Sequence, residues 1–158
     1  MELKPIGIIH TPFRQPEGTP IQPAAGAGVK GVVEVFGEFQ AGLKDIDGFS
    51  HIILIYQLHR GRGFELEVIP FMDTRLRGLF ATRAPRRPNP IGLSTVRLDR
   101  VEGGDLHVQN LDILDGTPLL DIKPYVPEFD TPEEIRTGWL EQVRKTVSRR
   151  KSDDRFNR

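Results

Sequence analysis

The chain has no cysteine, and that excludes disulfides and thiolate metal sites together. Its four histidines (His10, His51, His59 and His107) stand far apart, without the close spacing of a metal-ligand set. No run of about 18 apolar residues occurs, so no membrane-spanning helix is expected. The opening Met-Glu-Leu-Lys leads straight into an apolar strand pattern, which does not resemble a signal peptide. No Gly-x-Gly-x-x-Gly opens a helix, so the mark of a doubly wound nucleotide-binding sheet is missing. Formal net charge is zero, which removes any general pull towards polyanions. The expectation is a cytoplasmic, metal-independent protein, and 158 residues suit a single core.

Charge is nevertheless unevenly placed. Residues 74–98, TRLRGLFATRAPRRPNPIGLSTVRL, carry six arginines and no acid. Pro85, Pro88 and Pro90 fix φ and forbid helix, so RAPRRPNP must be extended or turning chain. Leu79–Ala81 and Ile91–Leu98 read as strands on either side of it. A loop so constrained loses little entropy on binding, although it could equally be a solvated connection. A second basic cluster, VRKTVSRRK, lies at 143–151.

The remaining pattern is mostly β. Short strands are expected at Ile6–Ile9, Val29–Phe36, Ser50–Leu58, Phe64–Pro70, Asp105–Leu114 and Leu119–Tyr125, with a hairpin at Gly103-Gly104. SHIILIYQL is apolar almost throughout and suggests a strand buried on both faces. Residues 12–28 form a long Pro/Gly/Ala loop, and Glu38–Leu43 allows a helical turn. Even spacing with little helix predicts a small antiparallel β-barrel over residues 1–130. After it, Thr131-Pro132-Glu133-Glu134 has the signals of a helix start. Ile135, Trp139, Leu140, Val143 and Val147 continue as an apolar stripe, predicting an amphipathic helix over 131–151 and a frayed tail over 152–158.

FATRAPRRPNPIGLSTVRL resembles the signature of the TrmO (TsaA-like) family of S-adenosylmethionine-dependent tRNA methyltransferases. PIGIIHTPF, GFSHIILIY and DGTPLLDIKPY are similar to the family in the same order, so the resemblance spreads over most of residues 5–125. It implies a β-barrel, S-adenosylmethionine as cofactor, tRNA as partner and a homodimer. The implied substrate is threonylcarbamoyl-adenosine beside the anticodon, methylated on its exocyclic nitrogen. The implied cofactor residues are Arg83, Leu93, Ser50, His51, and the Asp115, Gly116, Thr117, Pro118 turn. Pro20, Ile21 and Gln22 stand where the family resembles Pro-Arg-Gln, with isoleucine in place of arginine. Longer members carry a further domain after the barrel.

Each of these residues has a plainer reading beside the functional one. His51 could be a hydrogen-bonded core histidine, and Asp115-Gly116 is a common turn pair. Arg83 would be unpaired if buried, and a bound carboxylate is its natural partner. Arg86, Arg87 and Asn89 at the loop tip suit tRNA contact, or merely a solubilising tip. Asp121, Lys123 and Tyr125 alternate on the last strand and so face one side. With Asn89 they are the candidates for a catalytic role, but no general base is legible. A methyltransferase for another substrate and a non-catalytic S-adenosylmethionine or RNA sensor are the rival readings.

Overall fold

The computed structural model describes residues 2–15, 27–71 and 73–142. Its strands are β1 Gly7–His10, β2 Lys30–Val35, β3 His51–Gln57, β4 Glu67–Val68, β5 Arg77–Gly78, β6 Ile91–Glu102, β7 Asp105–Gln109 and β8 Thr117–Pro124. Six of them, all antiparallel to their neighbours, close into a barrel in the order β1-β2-β7-β6-β3-β8, the last pairing back to the first. The other two, β4 and β5, pair as a separate ribbon within the long connection between β3 and β6. The expected barrel is therefore present. Closure leaves its six strands no free edge, which answers the aggregation hazard of a small sheet.

Alternation of side chains explains the core. Ile9, Val33, Ile52, Leu54, Val96, Leu106, Val108 and Leu119 point inward and are fully buried. β3 departs from the expectation of two buried faces. Ile52, Leu54 and Tyr56 are buried, whereas Ile53 and Ile55 on the outer face are only partly covered.

Three other expectations change. Leu79–Ala81 is a 3₁₀ turn, not a strand, and its pairing is taken over by Arg77–Gly78 against Glu67–Val68. β8 begins at Thr117, inside the expected turn, because Thr117 and Pro118 already pair with Ile9 and Ile8. Residues 131–137 carry no regular element. The helical turn is instead α1, Pro127–Asp130, with Pro127 in its first turn, and a 3₁₀ turn follows at Gly138–Gln142. Thr131 does not cap a helix, since its hydroxyl bonds the Tyr125 hydroxyl at 3.1 Å. Residues 143–151 of the expected helix, and the tail, lie outside the described residues. No helix among the described residues is long and apolar enough to cross a membrane.

Candidate active site at the upper end of the barrel

The barrel has two distinct ends. The upper end gathers the ends of β1, β3 and β7 and the starts of β2, β6 and β8. The connections that meet there include residues 58–66 after β3, the arginine loop before β6, residues 110–116 between β7 and β8, and residues 11–15 after β1.

The arginine loop is fastened by its own guanidinium groups. Arg87 donates to the carbonyls of Thr82 at 3.0 Å and Ala84 at 3.3 Å, and its charge lies 5.7 Å from the Phe80 ring centre. Arg86 donates from Nε to the Arg62 carbonyl at 2.9 Å, tying the loop to the segment after β3. The reason is local: three prolines in RAPRRPNP supply carbonyls but no N–H, so side-chain donors take up the acceptors. Arg86 and Arg87 are thus half-buried rather than the exposed tip expected, while Asn89 is exposed. Trp139 also holds this region, donating to the Ala81 carbonyl at 2.9 Å with the Arg77 charge 5.3 Å from its ring.

Arg83 behaves differently. It is exposed, and among the described residues it makes no hydrogen bond or ion pair. Its charge still reaches inward, acting on Tyr56 and Asp112. Those two residues and Ser94 form a polar cluster inside the barrel mouth. The Ser94 hydroxyl donates to Asp112 Oδ1 at 2.7 Å, and the Tyr56 hydroxyl lies 2.9 Å from Ser94 Oγ. Ser94 has one proton and gives it to the carboxylate, so Tyr56 donates to Ser94. Gly92 makes room for this: Tyr56 pairs with it across β3 and β6, and a β-carbon there would clash with three carbons of the phenol ring.

Burial pushes the Asp112 carboxyl up to about 6, against the opposing pull of Ser94 and Arg83. Burial, then the Asp112 charge, push the Tyr56 phenol far up, so it stays protonated. Sequence reasoning misses all three residues. Tyr56 and Ser94 occupy inward positions of an otherwise aliphatic wall, and that polar intrusion is the signal that could have found them.

The Asp115–Pro118 turn closes the same mouth. Asp115 accepts from the Thr11 amide at 3.0 Å and its own amide donates to the Phe13 carbonyl at 2.7 Å. Gly116 adopts φ 73°, which favours glycine, and its amide donates to the Ile9 carbonyl. Buried Thr117 donates to the Leu114 carbonyl at 2.7 Å and lies 3.3 Å from His59 Nδ1. Burial, then neighbouring Arg60, lower the pKa of His59.

The other expected site residues lie elsewhere. Ser50 and His51, 2.9 Å apart through Oγ and Nδ1, are at the lower end of β3. His51 meets the Tyr125 ring edge-on at 6.4 Å. Leu93 is on the outer wall, 52% exposed, in a row with Ile55 and Asp121. Lys123 pairs with Asp121 at 2.8 Å on that same wall. The structure therefore splits the expected site in two: Arg83, Arg86, Arg87, Asn89 and Asp115–Pro118 above, and Ser50, His51, Leu93, Asp121, Lys123 and Tyr125 along one outer wall. Pro20, Ile21 and Gln22 lie outside the described residues.

Residues 8–131 match the model of the tRNA-methyltransferase O N-terminal domain. The chain belongs to that family. It is 56% identical over 153 residues to a probable S-adenosyl-L-methionine-binding protein of Pyrococcus abyssi, covering 97% of this chain and 83% of that one. It is 32% identical to the human tRNA (adenine(37)-N6)-methyltransferase over 139 residues, 84% of this chain but 32% of that enzyme. Among solved structures, TrmO from Pseudomonas aeruginosa superposes with a TM-score of 0.74 at 36% identity, over 88% of this chain and 62% of that one. The family match at 8–131 spans the barrel strands and the arginine loop of this chain.

Proposed function

We propose that this chain is an S-adenosylmethionine-dependent tRNA methyltransferase acting in the cytoplasm on adenine 37. Its substrate would be threonylcarbamoyl-adenosine beside the anticodon, methylated on the exocyclic nitrogen. The observation that carries the reading is the family match over residues 8–131, which spans every element of the upper mouth. The human relative's name supplies the adenine-37 position and the N6 atom.

The residues present suit the cofactor. Arg83, exposed and without a hydrogen bond among the described residues, offers a bidentate partner for a carboxylate. The partly exposed Asp115 carboxylate suits a cationic amino group, and Leu93 offers an apolar contact. When bound, S-adenosylmethionine supplies an electrophilic methyl on a sulfonium. The protein's task is then largely to position and to handle a proton. Fixed arginines beside the mouth, with exposed Asn89 and Phe80, suit an RNA loop whose bases are splayed.

A second copy completes the site in this reading. Seven-residue β3 separates His51 from the upper mouth by about 20 Å. One ligand touching both sets of residues requires the upper end of one protomer against the outer wall of another. That wall exposes Ile91 at 41% and Leu93 at 52%, apolar groups a homodimer would cover.

The test is incubation of unmodified and threonylcarbamoylated tRNA with purified protein and S-adenosylmethionine, followed by nucleoside mass spectrometry. One added methyl on the hypermodified adenosine is expected. Cofactor binding without transfer to any tRNA would favour a sensor, consistent with the binding-protein name of the Pyrococcus relative.

A further inference from the structure

Asp112 is a partly buried carboxylate in the polar cluster at the mouth that neither the cofactor nor the RNA reading uses. We propose that Asp112 accepts the proton released by the exocyclic nitrogen as that nitrogen takes the methyl group. The inference rests on the methyltransferase reading above and assigns it a catalytic residue.

The geometry has three parts. First, Asp112 lies in the connection that leads into the Asp115 turn, three residues before it, and feels the charge of Arg83 from the arginine loop. The residue is partly buried rather than sealed in the core. Second, its hydrogen bonds are one-sided. Tyr56 donates to Ser94 and Ser94 donates to Oδ1, and Ser94 is the only side chain among the described residues that bonds this carboxylate. Third, the support is rigid. Tyr56 and Ser94 come from adjacent paired strands, and Leu111 and Ile113 on either side of Asp112 are anchored in the core.

An asparagine could accept the same bond from Ser94 without the cost of burying a charge. The carboxylate therefore calls for a use beyond structure. Four influences act on it: burial raises its pKa, while the Ser94 hydroxyl from β6, its own backbone amide and the Arg83 charge from the loop favour the anion, and Tyr56 from β3 stays protonated beside them. The balance leaves a base poised near neutral pH, where general-base catalysis is most effective.

The step balances. A nitrogen–carbon bond forms, and the sulfur–carbon bond breaks with its electron pair left on sulfur as a thioether. The surplus proton on nitrogen passes to the Asp112 carboxylate, which becomes a neutral acid and returns the proton to water before the next turnover.

The experiment uses the full chain, S-adenosylmethionine and the modified tRNA, and compares wild type with Asp112→Asn, Ser94→Ala and Tyr56→Phe. Single-turnover rates are measured against pH, beside dissociation constants for both ligands. Carboxyl NMR of the ligand-free protein follows Asp112 itself. Wild type should show a rate that falls on the acid side with a midpoint near 6, matching the carboxyl titration. Asp112→Asn should lose about 100-fold or more in rate at saturation, with dissociation constants changed less than about threefold, and should lose the acid limb. Ser94→Ala removes a bond that favours the anion, so the NMR midpoint and the acid limb should move up together. Tyr56→Phe should shift both in the same direction by less. Near-wild-type rates in Asp112→Asn, or a loss confined to binding, would overturn the assignment while leaving the methyltransferase reading intact. An NMR midpoint that moves in Ser94→Ala without the rate profile would overturn it too. No methyl transfer by wild type would remove the underlying reading and the assignment with it.

Discussion

At Gly92 the missing side chain is the structural feature. The Tyr56 ring lies across that position, and a β-carbon there would meet three of its ring carbons. Gly92→Ala should therefore destabilise the barrel by about 1–3 kcal/mol through overpacking, read by urea unfolding. It should also pull the phenol away from Ser94; a variant as stable as wild type would mean the ring moves freely. Asp112 gives a second residue-scale prediction, with a defined sign. Its folded pKa of about 6 lies above the ordinary carboxyl value of 3.8, so the native state holds this proton more tightly. Its contribution to stability is fullest below the unfolded value, declines as pH rises towards 6 and is flat beyond. The decline is about 2–3 kcal/mol. Asp112→Asn should remove it, so the difference between variant and wild type should grow in the variant's favour across that window. Parallel stability–pH curves for the two proteins would contradict the shifted carboxyl. Neither residue stands out in sequence, because Tyr56, Ser94 and Asp112 come together only when three distant segments are placed in register.

The arginine loop is the element where sequence and structure agree on place and differ on detail. Prolines set its extent and its extended backbone, both legible from RAPRRPNP. Where the guanidinium groups turn is not legible, since that depends on carbonyls left unpaired by the prolines. The same kind of competition redirects the C-terminal segment. Thr131 has every local mark of a cap, but Tyr125 claims its hydroxyl and Asp130 accepts from the Val126 amide at 2.8 Å, so the helical turn forms earlier. Strands are easier, because inward and outward positions alternate within each segment. For the loop, Arg87→Ala should cost about 1–3 kcal/mol of local stability, seen as faster amide exchange and protease cutting over 82–90. Arg87→Lys should rescue this only in part, since an ammonium does not reproduce the planar fork that spans two carbonyls. Adding Arg86→Ala should weaken tRNA binding and reduce its salt slope by roughly 0.7–0.9 for each phosphate no longer neutralised. Equal slopes in wild type and double variant would take both arginines out of the RNA site.

For the molecule as a whole, zero net charge coexists with a basic mouth, and a closed barrel coexists with exposed apolar Ile91 and Leu93 on one outer wall. Both contrasts are resolved if the mouth receives RNA and the wall receives a second protomer. The wall is not legible in sequence: HIILIYQ reads as fully buried because its outer isoleucines are as apolar as its inner ones. Sedimentation should therefore show a dimer, and Ile91→Glu, which places a charge on the wall, should yield monomers with weakened cofactor binding. A sharper measurement mixes two defects. Arg83→Ala damages the mouth and His51→Ala damages the far end of the wall, so each homodimer should bind S-adenosylmethionine poorly at both sites. In a mixed dimer with shared sites, one site takes both substitutions and the other takes neither. Random exchange at equal amounts makes about half the dimers mixed, so about a quarter of wild-type binding capacity and methyl transfer should return. Sites confined to single chains would return nothing on mixing, and the separation of His51 from Arg83 would then mean that His51 is no part of the cofactor site.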